Sequence, residues 1–195
     1  MINIAQSNDD FSIFIFKWIA SGDLLSNWSI HIDFFSAVMI STVNIVSALV
    51  QIYSIEHMKE EKYKCKFFCY MSLFTFFMLF LVTSGNLLQL YFGWEGIGLC
   101  SYLLIGFWFH KQSARNAAIK AFIVNRIGDF FFILGIILIY ISFKSINFVD
   151  IFQNIDDIKD SNINFFQFQI DLTSVICIFL LLGAMGKSAQ LGFHT

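Results

Sequence analysis

Long apolar stretches separated by short polar ones organise this 195-residue chain. A helix needs about 20 mostly apolar residues to cross the hydrocarbon core of a bilayer. Five stretches meet or approach that length: 34–55, 67–83, 87–109, 117–143 and 172–195. Lipid offers the backbone no hydrogen-bond partner, so each span must be helical. The expected fold class is therefore an all-α integral membrane protein with about five transmembrane helices, occupying residues 34–195.

Residues 1–33 follow a different pattern. The apolar run FSIFIF is too short to cross and is followed by Lys17, Gly22, Asp23 and Asn27. This predicts an outer-side interfacial segment, either a helix or a short hairpin. Alternation through SNWSIHIDF suits a strand at the membrane surface, with Trp28 as its interfacial anchor.

Composition supports lipid as the solvent: 57% of residues are hydrophobic and 13% charged, with a mean hydropathy of +0.71. The net charge of −2 provides no basic surface for nucleic acid. Cys65, Cys69, Cys100 and Cys177 lack the paired spacing of a zinc or redox motif and read as small buried apolar residues. The start, MINIAQSNDDFS, has no arginine and two acids, which argues against a cleavable transit peptide.

The charges outside the spans set the orientation. Lys59, Lys62, Lys64 and Lys66 lie between the first two spans, and Lys111 and Arg115 lie between the third and fourth. Asp150, Asp156, Asp157, Asp160 and Asp171 dominate the connection over 144–171. The basic loops therefore face the cytoplasm or matrix, and the amino-terminal segment faces the opposite side.

The charges inside the spans are the candidate chemistry. Glu95 lies roughly 13 Å into the third span, where an ionised side chain costs about 2.5 kcal/mol or more. It must face protein or water, as part of an ion pathway or as a neutral carboxyl bonded to a neighbouring helix. Lys187 lies deep in the last span and needs a partner or a wet cavity. Burial lowers a lysine pKa and raises a glutamate pKa, whereas bringing Lys187 and Glu95 together restores both charges, so their separation can switch protonation. A static ion pair that specifies packing is the alternative.

Arg126 and Asp129 share one helical face and can neutralise each other, while Lys120 can snorkel to the basic side. His194 suits either a proton relay beside Lys187 or a plain hydrogen bond. Gly183, Gly186, Lys187 and Ser188 imitate a phosphate loop, but Leu181 stands where its first glycine belongs. Gly93, Gly96 and Gly98 in GWEGIG follow no strand, and close helix packing explains them better than dinucleotide binding.

Three segments, NLLQLYFGWEGIGLCSYLLIGFWF, AAIKAFIVNRIGDF and GAMGKSAQLGFHT, occur in order. With them the chain resembles the NADH dehydrogenase subunit 5 family, the distal antiporter-like membrane subunits of respiratory complex I. The similarity runs from Phe14 to Thr195. It implies the antiporter-like fold, with Lys187 on a discontinuous helix, Glu95 as the essential glutamate, Arg126 and Asp129 as a charged pair, and His194 following the lysine.

The implied activity is proton translocation from matrix to intermembrane space, driven by quinone reduction elsewhere in the complex. No cofactor is expected in this chain; NADH, FMN, iron–sulfur clusters and ubiquinone belong to partner subunits. The expected partners are other complex I membrane-arm subunits, the lipid bilayer, and a complementary fragment or the remainder of the same subunit, with no nucleic acid. The expected location is the mitochondrial inner membrane, with organelle encoding suggested by 26 phenylalanines. Family members ordinarily carry further helices before and after the matched region, so the chain is expected to be an amino-proximal piece, from a split gene or a longer polypeptide. A multisubunit sodium/proton antiporter subunit and a structural membrane scaffold are the competing functions.

Overall fold

The computed structural model describes residues 11–22, 24–155, 162–165, 168–190 and 192–193. Strands β1 (Phe11–Ser21) and β2 (Leu24–Ile32) form a two-stranded sheet. Helices α1 (Phe34–His57), α2 (Lys64–Val82), α3 (Leu87–Ile105) and α4 (Gln112–Phe143) follow. A short helix α5 (Phe148–Gln153) and a hairpin of β3 (Asn162–Phe165) and β4 (Phe168–Asp171) precede α6 (Leu172–Ser188). Strands β3 and β4 pair antiparallel, with Asn162 opposite Asp171 and Phe165 opposite Phe168.

Helices α1, α2 and α4 are long and apolar enough to cross a membrane. Helix α3 carries Gln89 and Glu95 within 19 residues, and α6 has 17 residues. Helices α2 and α4 begin earlier than the apolar pattern predicts, at Lys64 and Gln112. Their first turns are polar because a helix leaving the hydrocarbon no longer needs apolar side chains. Helices α3 and α6 end earlier than predicted. Helix α6 stops where Ala189 adopts the left-handed conformation (φ 49°) and donates its N–H to the Met185 carbonyl.

Large apolar side chains are exposed along the helices, including Ile45, Leu49 and Ile52 on α1 and Phe130 on α4. Cys65, Cys69 and Cys177 are exposed and Cys100 is buried, so the expectation that all four are buried is corrected. A small apolar side chain facing lipid loses nothing by leaving the protein core, and Cys65 stands between Lys64 and Lys66 in the polar first turn of α2.

The chain divides into two compact units. The first comprises residues 11–15, 29–85 and 89–122, and the second residues 16–28, 86–88 and 123–193. In the first, Ser47 Oγ lies 2.7 Å from Thr75 Oγ1, joining α1 to α2. The Gln89 side chain is fully buried; its Nε2 donates to the Ser29 carbonyl (2.8 Å) and its Oε1 accepts from the Ser29 N–H (3.2 Å). One side-chain amide thus serves both backbone groups of a strand residue of β2. The two basic loops meet in this unit, where Trp108 Nε1 donates to Glu61 Oε1 at 3.1 Å. In the second unit Trp28 stacks on Phe16 (5.5 Å between centroids) and meets Trp18 edge-on (4.9 Å). Of the two conformations open to residues 11–33, the structure therefore shows the strand pair.

The start of α1 is fixed by a reciprocal cap. Asp33 Oδ1 accepts from the Ser36 N–H (2.6 Å), and Ser36 Oγ accepts from the Asp33 N–H (2.7 Å). Burial alone pushes the Asp33 carboxyl up, but the Ser36 hydrogen bonds and His31 outweigh it and hold the group below its ordinary value of 3.8. A lowered folded-state value means that the cap stabilises α1 above pH 3.8 and is lost as acid protonates the carboxylate.

In the second unit α4 and α6 cross with backbones nearly touching. A Cβ on Gly186 would lie 2.9 Å from the Gly128 Cα, and one on Gly128 would lie 3.1 Å from the Gly186 Cα. Gly183 faces Phe132 in the same way, 2.7 Å from its Cβ. Without a driving force from water, helices in lipid associate through such close packing.

Three outcomes are expected. Asp33→Ala should cost about 1 kcal/mol of stability and speed hydrogen exchange in the first turn of α1. Asp33→Asn should keep the cap and abolish the acid sensitivity of that exchange below pH 3.8. Gly186→Val should overpack the crossing and cost about 1–3 kcal/mol, read as a lower midpoint in an SDS unfolding titration in mixed micelles.

Candidate functional site

Helix periodicity and small residues build both candidate charge sites. In the first unit, Glu95 is half-buried in the middle of α3. Tyr91, one turn earlier, donates its hydroxyl proton to Glu95 Oε1 at 2.7 Å. An i, i+4 pair lies on one helix face, so the phenol covers part of the carboxylate and meets one of its lone pairs. The neighbouring Gly96 lies under the Phe77 ring, where a Cβ would fall 2.3 Å from Cδ1, and Gly93 lies against the Leu81 backbone. The absence of side chains at these positions brings the α3 backbone against α2, so Glu95 is held on a helix that is itself packed in place.

In the second unit, Lys187 Nζ lies 3.7 Å from Asp129 Oδ1, with side-chain exposures of 18% and 4%. These residues are sequence neighbours of Gly186 and Gly128, the crossing point of α6 and α4. The glycine contact therefore determines that this acid and this amine meet. Lys187 occupies the last turn of α6, where unsatisfied carbonyls carry partial negative charge and favour a cation. The arrangement sets a half-buried ammonium against a buried carboxylate and a helix end.

Arg126 shares the Asp129 face of α4 and is exposed; Lys120, one turn inside the same helix, is exposed as well. Asp129 is 3% exposed. Of the residues singled out from sequence, the structure joins Asp129 to Lys187 across two helices and places Glu95 with Tyr91. The Arg126–Asp129 spacing suggested a pair within one helix, and the inter-helix partner Lys187 was not foreseen. His194 lies outside the described residues. Tyr91 was not singled out from sequence, although its position four residues before an intramembrane acid was a readable signal.

Known proteins share this arrangement of helices and sequence. Residues 84–195 match the profile of a family described as NADH:quinone oxidoreductase/Mrp antiporter, TM. Residues 18–68 match one described as NADH-Ubiquinone oxidoreductase (complex I), chain 5 N-terminus. The chain is similar to NADH-quinone oxidoreductase subunit L of Rickettsia felis, 52% identical over 180 residues, which is 92% of this chain and 27% of that protein. It is also similar to NADH-ubiquinone oxidoreductase chain 5 of Chondrus crispus, 44% identical over 192 residues, 98% of this chain and 29% of that protein. The chain thus spans between a quarter and a third of the length of these relatives. A structure of the Mrp complex from Dietzia sp. superposes on 95% of this chain and 19% of the matched chain, with a TM-score of 0.78 at 19% identity, a likeness of fold. With more than half of its residues inside the first profile, the chain belongs to the NADH:quinone oxidoreductase/Mrp antiporter transmembrane family.

Proposed function

We propose that this chain supplies part of a proton pathway in the membrane arm of an NADH:quinone oxidoreductase, with Glu95, Asp129 and Lys187 as its protonatable groups. The ion pair of Lys187 with the buried Asp129 carries this reading. A pair closed at 3.7 Å favours an ammonium and a carboxylate together. Opening it leaves each charge in a poorly hydrated site, where the neutral forms are better tolerated, so the amine gives up a proton. Closing it again favours reprotonation. A conformational change that opens and closes the pair thereby takes up and releases one proton at Lys187. Helix α6 ends at Ser188, with the left-handed Ala189 directly after the turn that carries the amine.

Glu95 serves as a second protonatable station, with the Tyr91 hydroxyl donating to its Oε1. Arg126 and His194 are assigned supporting roles, Arg126 in tuning Asp129 and His194 in relaying protons after Lys187. The chain holds no cofactor of its own; NADH, FMN, iron–sulfur clusters and ubiquinone act in partner subunits. Its partners are the other membrane-arm subunits and the remainder of the same subunit. The mitochondrial inner membrane is the proposed location, supported by the phenylalanine-rich composition and by the chain 5 relatives of Chondrus crispus, Phytophthora infestans and Dictyostelium discoideum. The fold likeness to the Mrp complex supports a second reading, a subunit of a sodium/proton antiporter. Co-purification with an NADH-oxidising, quinone-reducing assembly separates the two.

In the assembled complex, Glu95→Gln or Lys187→Ala should lower proton pumping coupled to NADH oxidation by about tenfold, a modest share of what a positioned proton-transfer group contributes. Normal pumping by both variants at normal assembly would refute the assignment. Asp129→Asn should destabilise the chain by about 3 kcal/mol because it removes the negative charge that faces the half-buried ammonium. Adding Lys187→Gln should recover part of that loss in an SDS titration, whereas strictly additive losses would show that the pair is not coupled.

A further inference from the structure

The first unit carries a second feature, apart from the Tyr91–Glu95 pair. A cleft of about 310 Å³ opens where the start of α2, the end of α3 and the start of α4 come together, lined by residues including Lys66, Tyr70, Tyr102, Leu103, Arg115 and Ile119. Among the described residues, no acid lines it. Two acids of the adjoining basic loop are engaged elsewhere: Glu61 accepts from Trp108, and Glu56 pairs with Lys59. Both basic side chains are exposed. Lys66 Nζ lies 5.6 Å from the centre of the Tyr70 ring, and one guanidinium nitrogen of Arg115 bonds Gln112 Oε1. A guanidinium has five N–H donors, so most remain for a ligand.

We propose that this cleft binds the headgroup of an acidic phospholipid. Its phosphate sits between Lys66 and Arg115, and its acyl chains run along Leu103 and Ile119. The location decides between a lipid and a soluble anion. The cleft lies at the ends of helices that cross the membrane, on the side that carries the basic loops. There an ammonium, a guanidinium and tyrosine rings coincide with the headgroup layer of the bilayer. A free phosphate would use the two cations and leave the apolar wall uncovered, whereas a phospholipid matches both. The charges also give the direction of selectivity, toward phosphatidylglycerol or cardiolipin over phosphatidylcholine, whose choline would place a third cation beside the other two.

The test uses the complete membrane complex in nanodiscs containing a diazirine-bearing phosphatidylglycerol or its phosphatidylcholine counterpart, with photolabelled peptides mapped by mass spectrometry. Label from the acidic probe should concentrate on the segment from Tyr102 to Ile119. One basic side chain near an anionic surface is worth about fivefold in binding, so Lys66→Gln/Arg115→Gln should weaken the labelling by about thirtyfold. Lys59→Gln/Lys62→Gln, outside the cleft, should leave it unchanged. Ile119→Trp fills the groove without altering charge and should abolish labelling in a complex that still assembles on a native gel. Equal labelling by the two probes, labelling indifferent to all of these variants, competition by millimolar inorganic phosphate, or photo-crosslinks showing another protein segment in the groove would each overturn the proposal.

Discussion

The exclusion of water from the bilayer core governs every level of this structure. It forces the backbone to satisfy its own hydrogen bonds, which leaves the helix as the element for crossing. It removes the hydrophobic reward for packing one apolar helix on another, so association falls to close backbone contact at small residues. It also makes an isolated charge costly, so the charges that remain are paired or capped. The contact of Gly128 with Gly186 and the Asp129–Lys187 ion pair beside it are two consequences of this one constraint. The first brings the backbones within reach and the second uses that proximity to neutralise an amine.

Where the chain leaves the hydrocarbon, ordinary rules return. The Asp33–Ser36 capping box starts α1. The Asn86 side chain donates to the Asn27 carbonyl at 2.6 Å in the second unit, just as Gln89 serves Ser29 in the first. Amide side chains are suited to this task because each offers a donor and an acceptor to a backbone without a neighbouring strand. The amino-terminal strand pair is thereby tied to residues at the start of α3, the helix that carries Glu95. Helix ends here are adapted to their surroundings too: α6 closes with a left-handed alanine, although glycine is the usual choice, and the loop beyond α3 ties its tryptophan to an acid of the other basic loop.

The apolar pattern made the membrane class and the approximate positions of the helices legible, because hydrophobic length is a local property of the sequence. Helix ends were less legible. The polar first turns of α2 and α4 carry no hydrophobic signal, and the end of α6 depends on one residue adopting φ 49°, which alanine does not announce. The cysteines were misread because burial inferred for a soluble protein does not transfer to lipid, where an exposed apolar side chain is at no disadvantage.

By itself, the sequence determined that Glu95, Asp129 and Lys187 are charges in apolar surroundings and must be compensated, since the cost of an intramembrane charge follows from depth along one helix. It also contained the Tyr91–Glu95 pair, which is local and set by the helical repeat. Only the tertiary structure decided that Asp129 faces Lys187. That choice depends on the register of α4 against α6, fixed by where two glycines let the backbones touch, and no periodicity within either helix encodes it. The cleft between Lys66 and Arg115 arises in the same way, from helix ends that meet in space and lie far apart along the chain.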